Sequence, residues 1–175
     1  GVNDIGKLKV DVAKKTVNSL NPNSEIATYP ETLSIKNIEK IFVNYDLVLD
    51  GTDNFSTRYL INKYCFKTKK PLLFGAISQW DGQLSLYNPT EYSPCFECLF
   101  PQSDKLQVER TCSENGVFGP LVGIVGTLMA SEAIKFIVGS GSSLTNQIIL
   151  YDALSGQMRR YGTRVRSNCK VCGIN

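Results

Sequence analysis

Asp46-Leu-Val-Leu-Asp-Gly-Thr-Asp-Asn-Phe-Ser-Thr-Arg58 decides how the rest of the chain is read. Leu47, Val48 and Leu49 form a short apolar run, as expected of a strand buried on both faces of a parallel sheet. Gly51 breaks the run. Asp53 or Asn54 can then cap a helix whose apolar positions are Leu60, Ile61, Tyr64 and Cys65. A strand, a tight turn and a helix start follow one another. In open α/β sheets such a turn lies at the carboxyl edge, where ligands bind. Asp50 and Asp53 are therefore placed to hold a cation or a phosphate-bound Mg²⁺. The simpler alternative is that Asp53 only caps the helix, and on this stretch alone the cap is favoured.

Around this stretch lie 175 residues, 42% apolar and 20% charged, enough for one domain with a sizeable core. The net charge of +3 gives no reason to expect nucleic acid or a membrane surface as partner. Histidine is absent from the sequence. A metal site must then use Cys, Asp or Glu, and proton transfer must use carboxylate, Lys, Tyr, Cys or water. The opening Gly-Val-Asn-Asp is too polar for a signal peptide, so a cytoplasmic location is expected. Val117–Ser131 is the most apolar stretch. It falls short of the roughly 20 residues that span a bilayer and is expected to be buried.

N-terminal to the central stretch, residues 7–20 have helical spacing, with Leu8, Val12, Ala13, Val17 and Leu20 on one face and Asn21-Pro22 as the stop. Glu25–Tyr29 can be a strand and Ile35–Phe42 a weak helix. On the other side, Leu72, Leu73 and Phe74 predict a second buried strand. Gln79-Trp-Asp-Gly82 reads as a turn and Gln83–Tyr87 as an antiparallel strand. Residues 88–116 are irregular. Phe118–Val138 predicts an apolar helix whose Gly119, Gly123 and Gly126 allow close approach of another element. Gln147–Tyr151 and Gln157–Tyr161 form a last hairpin. The expected class is α/β: a mixed sheet with a parallel, Rossmann-like part followed by antiparallel strands, with flanking helices.

Three of the six cysteines fall in the irregular segment. Cys95-Phe-Glu-Cys98 and Cys169-Lys-Val-Cys172 are two Cys-x-x-Cys knuckles, and four thiolates suffice for a tetrahedral structural Zn²⁺. The knuckles are much farther apart than in a zinc ribbon, so the fold would have to bring the chain end to its middle. Two unrelated redox or surface pairs are the alternative. Paired knuckles without an export signal favour the metal. Cys65 sits on the apolar face of its helix and reads as core packing. Cys112 lies in the polar segment Glu109-Arg-Thr-Cys-Ser-Glu-Asn-Gly116. Arg110 and the following helix start could activate its thiol, while Glu109 and Glu114 oppose that. A nucleophile and a loop cysteine without a role are equally open at this point.

Gly1-Val-Asn-Asp-Ile-Gly6-Lys7-Leu8 imitates a phosphate-binding loop, but Leu8 replaces the Ser or Thr that would bind Mg²⁺ and no strand precedes it. Lys9 by itself reads as a solvated helix lysine. Taken together, however, the motifs resemble the ThiF/MoeB/HesA family of ubiquitin-activating-type adenylyltransferases. The matching pieces are Gly6-Lys-Leu-Lys-Val10, Asn21-Pro22, Asp46–Arg58, Gly82-Gln83, the first knuckle and Arg110-Thr-Cys112. They continue with Gly116–Gly126, Glu132-Ala-Ile-Lys135 and the second knuckle, in the family's order.

The resemblance implies that MgATP activates the C-terminal glycine of a ubiquitin-like sulfur-carrier protein. An acyl-adenylate and pyrophosphate form, and a sulfur donor (a cysteine desulfurase or a rhodanese-like protein) completes a thiocarboxylate. By position Asp53 would hold Mg²⁺ and Lys9 the triphosphate, while Asn54 and Arg58 would shape the nucleotide site. Cys112 matches the cysteine that can link covalently to the carrier. Cys95, Cys98, Cys169 and Cys172 match the zinc ligands, and a homodimer is expected. The family's N-terminal glycine-rich nucleotide-binding turn has no counterpart here. Residues 1–175 are therefore expected to be the C-terminal three-quarters of such a domain. A non-catalytic, zinc-stabilised module that docks a ubiquitin-like protein is the alternative.

Overall fold

The computed structural model describes residues 1–102 and 116–173. Helix α1 spans Lys9–Leu20 and α2 Ile38–Phe42. Strand β1 (Val48–Asp50), helix α3 (Phe55–Lys67) and strand β2 (Leu72–Ile77) make a βαβ unit. The parallel register of β1 on β2, with Leu49 opposite Leu73, demands such a crossover. Strand β3 (Asp81–Tyr87), the single-turn helix α4 (Phe96–Leu99), helix α5 (Gly119–Val138) and strands β4 (Gln147–Asp152) and β5 (Gln157–Gly162) follow. The sheet of the described residues runs β1-β2-β3-β4-β5, and every pairing after the first is antiparallel. This is the mixed sheet with flanking helices that the sequence predicts.

Alternation along β2 sends its side chains to opposite faces. Leu72 and Phe74 join Val48, Ile61, Cys65, Tyr87 and Phe96 in the core under α3 and α4. Leu73 joins Leu84, Leu86, Ala133, Leu144 and Ile149 in the core under α5. Close packing of α5 depends on Gly82 of β3. A Cβ there would lie 2.6 Å from Val125 Cγ2 and 3.3 Å from Leu121 Cδ1. Gly139 ends α5 in the left-handed region at φ 64°, a conformation glycine adopts at little cost.

Several local expectations change. Glu25–Tyr29 is not a strand, and the segment before β1 has no sheet partner among the described residues. The helix predicted over 7–20 forms, but no residue of it is buried, because no other described element covers its apolar stripe. The weak helix begins at Ile38, not Ile35. Strand β1 is buried on one face only: Val48 and Asp50 are covered, while Leu49 is half exposed at the sheet's edge. Asp81-Gly82 opens β3 instead of making the turn, which Ser78 closes by donating its N–H to the Asp81 carbonyl at 2.8 Å.

Nor is α5 fully buried. Leu121, Val125 and Ala133 face the sheet, while Ile134 (61% exposed) and Ile137 (71%) face away. Among the described residues nothing lies within 4 Å of a Cβ built on Gly119, Gly123 or Gly126, so no described element makes the close approach those glycines permit. Among the described residues, α5 is long and apolar enough, by length and composition alone, to cross a membrane; here it packs on β2 and β3.

Candidate nucleotide site and cysteine cluster

Between the end of β1 and the start of α3 the chain builds a rigid turn. Asp50, 2% exposed, accepts the Thr52 N–H at 2.9 Å and the Thr52 hydroxyl at 2.8 Å through the same carboxylate oxygen. Asn54, not Asp53, is the N-cap of α3, and its side-chain oxygen accepts the Thr57 N–H at 2.8 Å. Arg58, one turn into α3, reaches back to the Thr52 carbonyl with Nε at 3.1 Å and with a terminal nitrogen. Its guanidinium carbon stands 5.6 Å from the centroid of Phe55 and 5.3 Å from that of Phe74. Cation–π attraction and the fork to Thr52 hold Arg58 in one orientation. With Thr52 tied from both sides and the cap filled by Asn54, Asp53 projects as an exposed carboxylate.

Asp53 and Arg58 meet in one cavity of about 340 Å³. Gly51 and Thr52 line it beside them, Gly75, Ala76 and Ile77 come from β2, and Val122, Val125, Gly126 and Met129 come from α5. An apolar pocket with a carboxylate and a guanidinium suits a flat ligand carrying charged groups. Gly75 has a second role here: a Cβ would meet Met129 Sδ at 2.2 Å. Of the residues expected at a nucleotide site, Asp53 and Arg58 are brought together, and Asn54 caps the helix between them. Lys9 stands exposed at the start of α1 and is not among the cavity's lining residues. Cys112 lies outside the described residues.

The four knuckle cysteines do converge. Their sulfurs all lie within 4.8 Å of one another, with Cys95–Cys169 at 3.5 Å and Cys98–Cys172 at 3.2 Å. A tetrahedral ion with Zn–S bonds near 2.3 Å places its sulfurs about 3.8 Å apart. The cluster fits that spacing, and its all-sulfur donor set suits zinc. Backbone donors already serve it. The Arg166 N–H donates to Cys98 Sγ at 3.4 Å. Burial opposes ionisation of Cys169, but N–H groups of Cys172 and Val171 outweigh it and bring its thiol down to about 7. Burial, then the proximity of Cys98, pushes Cys95 up to about 12. Burial raises Cys172 as well. Four sulfurs this close cannot all ionise without a cation between them.

Cys65 is no part of either site. It is fully buried, and burial together with Asp50 pushes its thiol up to about 12. Sequence reasoning missed the partners that make the sites rigid: Thr52, the Phe55–Phe74 platform under Arg58, and Asn62, whose carbonyl oxygen accepts the Phe96 N–H at 2.9 Å. The Asn in the apolar face of α3 was the available signal for the last.

The model of the ThiF family matches residues 1–171. The chain is 44% identical over 174 residues to the sulfur carrier protein adenylyltransferase of Thermus thermophilus, covering 97% of this chain and 64% of that one. It is 38% identical over 161 residues to the adenylyltransferase and sulfurtransferase MOCS3 of Dictyostelium discoideum, covering 91% of this chain and 38% of that one. The chain thus spans less than two thirds of either curated relative. Among solved structures, E. coli MccB superposes with a TM-score of 0.82 at 22% identity, over 99% of this chain and 52% of that one. The last comparison speaks to the fold alone.

Proposed function

Because the chain belongs to the ThiF family, we propose that it carries the metal-binding acid, the nucleotide pocket and the zinc knuckles of a sulfur-carrier-protein adenylyltransferase. The observation that carries this reading is the cavity at the carboxyl edge of β1, which Asp53 and Arg58 share. In the proposed reaction the C-terminal carboxylate of a ubiquitin-like carrier attacks the α-phosphorus of ATP. An acyl-adenylate forms and pyrophosphate leaves. A carboxylate is already ionised at neutral pH, so no general base is needed. The protein's part is positioning and charge neutralisation.

Asp53 would hold Mg²⁺, which neutralises phosphate charge when bound. Arg58, fixed over its two rings, would orient the nucleotide. Asn54 keeps the turn in place by capping α3. Lys9 is assigned to the triphosphate on the resemblance alone, as Cys112 is assigned to covalent transfer of the carrier. Zinc at the four knuckle sulfurs is structural. The pathway served, whether of the thiamine, molybdopterin or tRNA-thiolation type, and the sulfur donor follow from whichever carrier supports the reaction.

Carrier-dependent ATP–pyrophosphate exchange by the full-length protein tests the reading. Asp53→Asn keeps the shape and removes the charge, and should lower exchange by about 10²-fold or more. Exchange near the unmodified rate would leave Asp53 without that role. A homodimer is part of the proposal, supported by the exposed Ile134 and Ile137 on α5. Ile137→Lys should then shift sedimentation toward the monomer; an unchanged profile would place any association elsewhere.

A further inference from the structure

Asn62 lies on α3, fully buried, in a helix face otherwise made of core residues. Its Oδ1 accepts the backbone N–H of Phe96, the residue after Cys95. A backbone N–H can only donate, so this bond fixes which end of the amide is which; the flipped amide would oppose two donors. The other end, Nδ2, is buried and has no hydrogen-bond partner among the described residues. Protein interiors rarely leave such a donor unmade, and each instance needs an explanation.

The explanation is the neighbouring sulfur. The bond to the Phe96 N–H seats the Asn62 amide against the backbone of the first knuckle, one residue from Cys95, so the unmade donor is buried beside that knuckle. A thiol is a weak acceptor, whereas a thiolate is a good one, and charge-assisted bonds are the stronger class. Four thiolates around one divalent cation carry two net negative charges, which N–H donors disperse. Cys98 has such a donor in the Arg166 backbone.

We propose that Asn62 is the positioning residue of the metal centre: its Oδ1 sets the Phe96 N–H and its Nδ2 donates to the metal-bound Cys95 sulfur, clamping the first knuckle from α3. The inference rests on the zinc reading above. It adds a side-chain donor that neither knuckle motif contains, and it links the metal to the helix that begins at the Asp53 turn.

Two measurements on the full chain test it. Asn62→Asp keeps the volume and the acceptor for Phe96 but offers the sulfur no donor. Zinc affinity, read by competition with a chromophoric chelator, should fall about 10- to 100-fold. The sulfur-to-metal charge-transfer band of the cobalt-substituted variant should shift as well. Unchanged affinity and spectrum would overturn the proposal. A variant that does not fold is bypassed by the second measurement, on the unmodified chain loaded with ¹¹³Cd. Scalar coupling through N–H···S bonds should then correlate the Asn62 Nδ2 protons with the metal, with the Arg166 N–H as internal reference. A correlation from Arg166 without one from Asn62 would also overturn it. Failure of the zinc reading is distinguishable: the unmodified chain would then bind no equivalent of metal at all, whereas failure of the Asn62 assignment leaves one equivalent bound.

Discussion

Asp53 is presented because its neighbours are occupied. Asp50 spends its carboxylate on Thr52, Asn54 spends its amide oxygen on the helix start, and Arg58 closes the turn from the other side. Two carboxylates three residues apart thus take different tasks. Asp50 is internal structure, and Asp53 is left on the surface of a cavity. The sequence showed both as candidates and could not separate them, since either Asp53 or Asn54 satisfies the capping preference. The thiols divide in the same way. Cys65 keeps its proton in the folded chain to about pH 12, against an ordinary value of 9.0. Native protein at pH 8 should therefore leave Cys65 unmodified by iodoacetamide, because the thiolate is the nucleophile and burial removes both it and access. Peptide mapping after brief labelling checks this; modification of Cys65 at the rate of a free thiol would show that α3 opens readily. The sign for stability follows from the same shift. Between about pH 9 and 12 unfolding releases the Cys65 proton, so its contribution to stability is complete below pH 9 and is lost as pH rises toward 12.

Helix α5 and strand β3 show what periodicity could and could not tell. The apolar run over 118–138 marked a helix, and in the structure Leu121, Val125 and Ala133 form the face it buries. It gave no hint that the opposite face would remain uncovered, because an all-round apolar helix reads as buried wherever its partners lie. The same holds for α1, whose stripe is as clear in the sequence as it is uncovered in the structure. Strand β1 looked buried on both faces for a related reason: a three-residue apolar run carries no information about which face meets a neighbour. The glycine that matters for packing was also not the one the pattern suggested. Among the described residues nothing comes within 4 Å of a Cβ built on Gly119, Gly123 or Gly126, whereas Gly82, read as a turn residue, and Gly75 of β2 are places where α5 packs tightly on the sheet. Gly82→Ala should therefore cost about 1–3 kcal/mol by pushing Val125 and Leu121 outward. Gly123→Ala should be neutral or stabilising by up to about 1 kcal/mol in the monomer, since alanine favours the helix. Urea denaturation of the metal-loaded proteins measures both. A harmless Gly82→Ala would mean that the stiff Val125 side chain relaxes more easily than its packing suggests.

At the scale of the whole molecule, the proposed zinc centre at the cysteine cluster would decide how the two halves hold together. The knuckles were legible because Cys-x-x-Cys spacing is local. Their meeting was an inference from chemistry, since nothing local predicts that two segments 74 residues apart in sequence will share a site. The chain between them contains α5, β4 and β5, and β5 is an edge strand with every residue exposed. Few apolar contacts secure that edge, so the closure at the cluster carries more weight there than in the βαβ unit, whose core includes Ile61, Cys65, Leu72 and Phe74. Opening a loop of this length releases chain entropy on the order of 4 kcal/mol, and loss of metal coordination adds to it. In a protein of this size each kcal/mol moves the midpoint by roughly 2–4 °C. With zinc held at the cluster as proposed, its removal by a chelator should therefore lower Tm by about 10 °C or more, as followed by circular dichroism with metal content measured in parallel. Hydrogen exchange should show the loss first in β4 and β5, while Val48–Asp50 and Leu72–Ile77 stay protected. A metal-free chain that melts at the original temperature, or that loses protection first in the βαβ unit, would mean that packing on the sheet rather than closure of the chain end sets its stability.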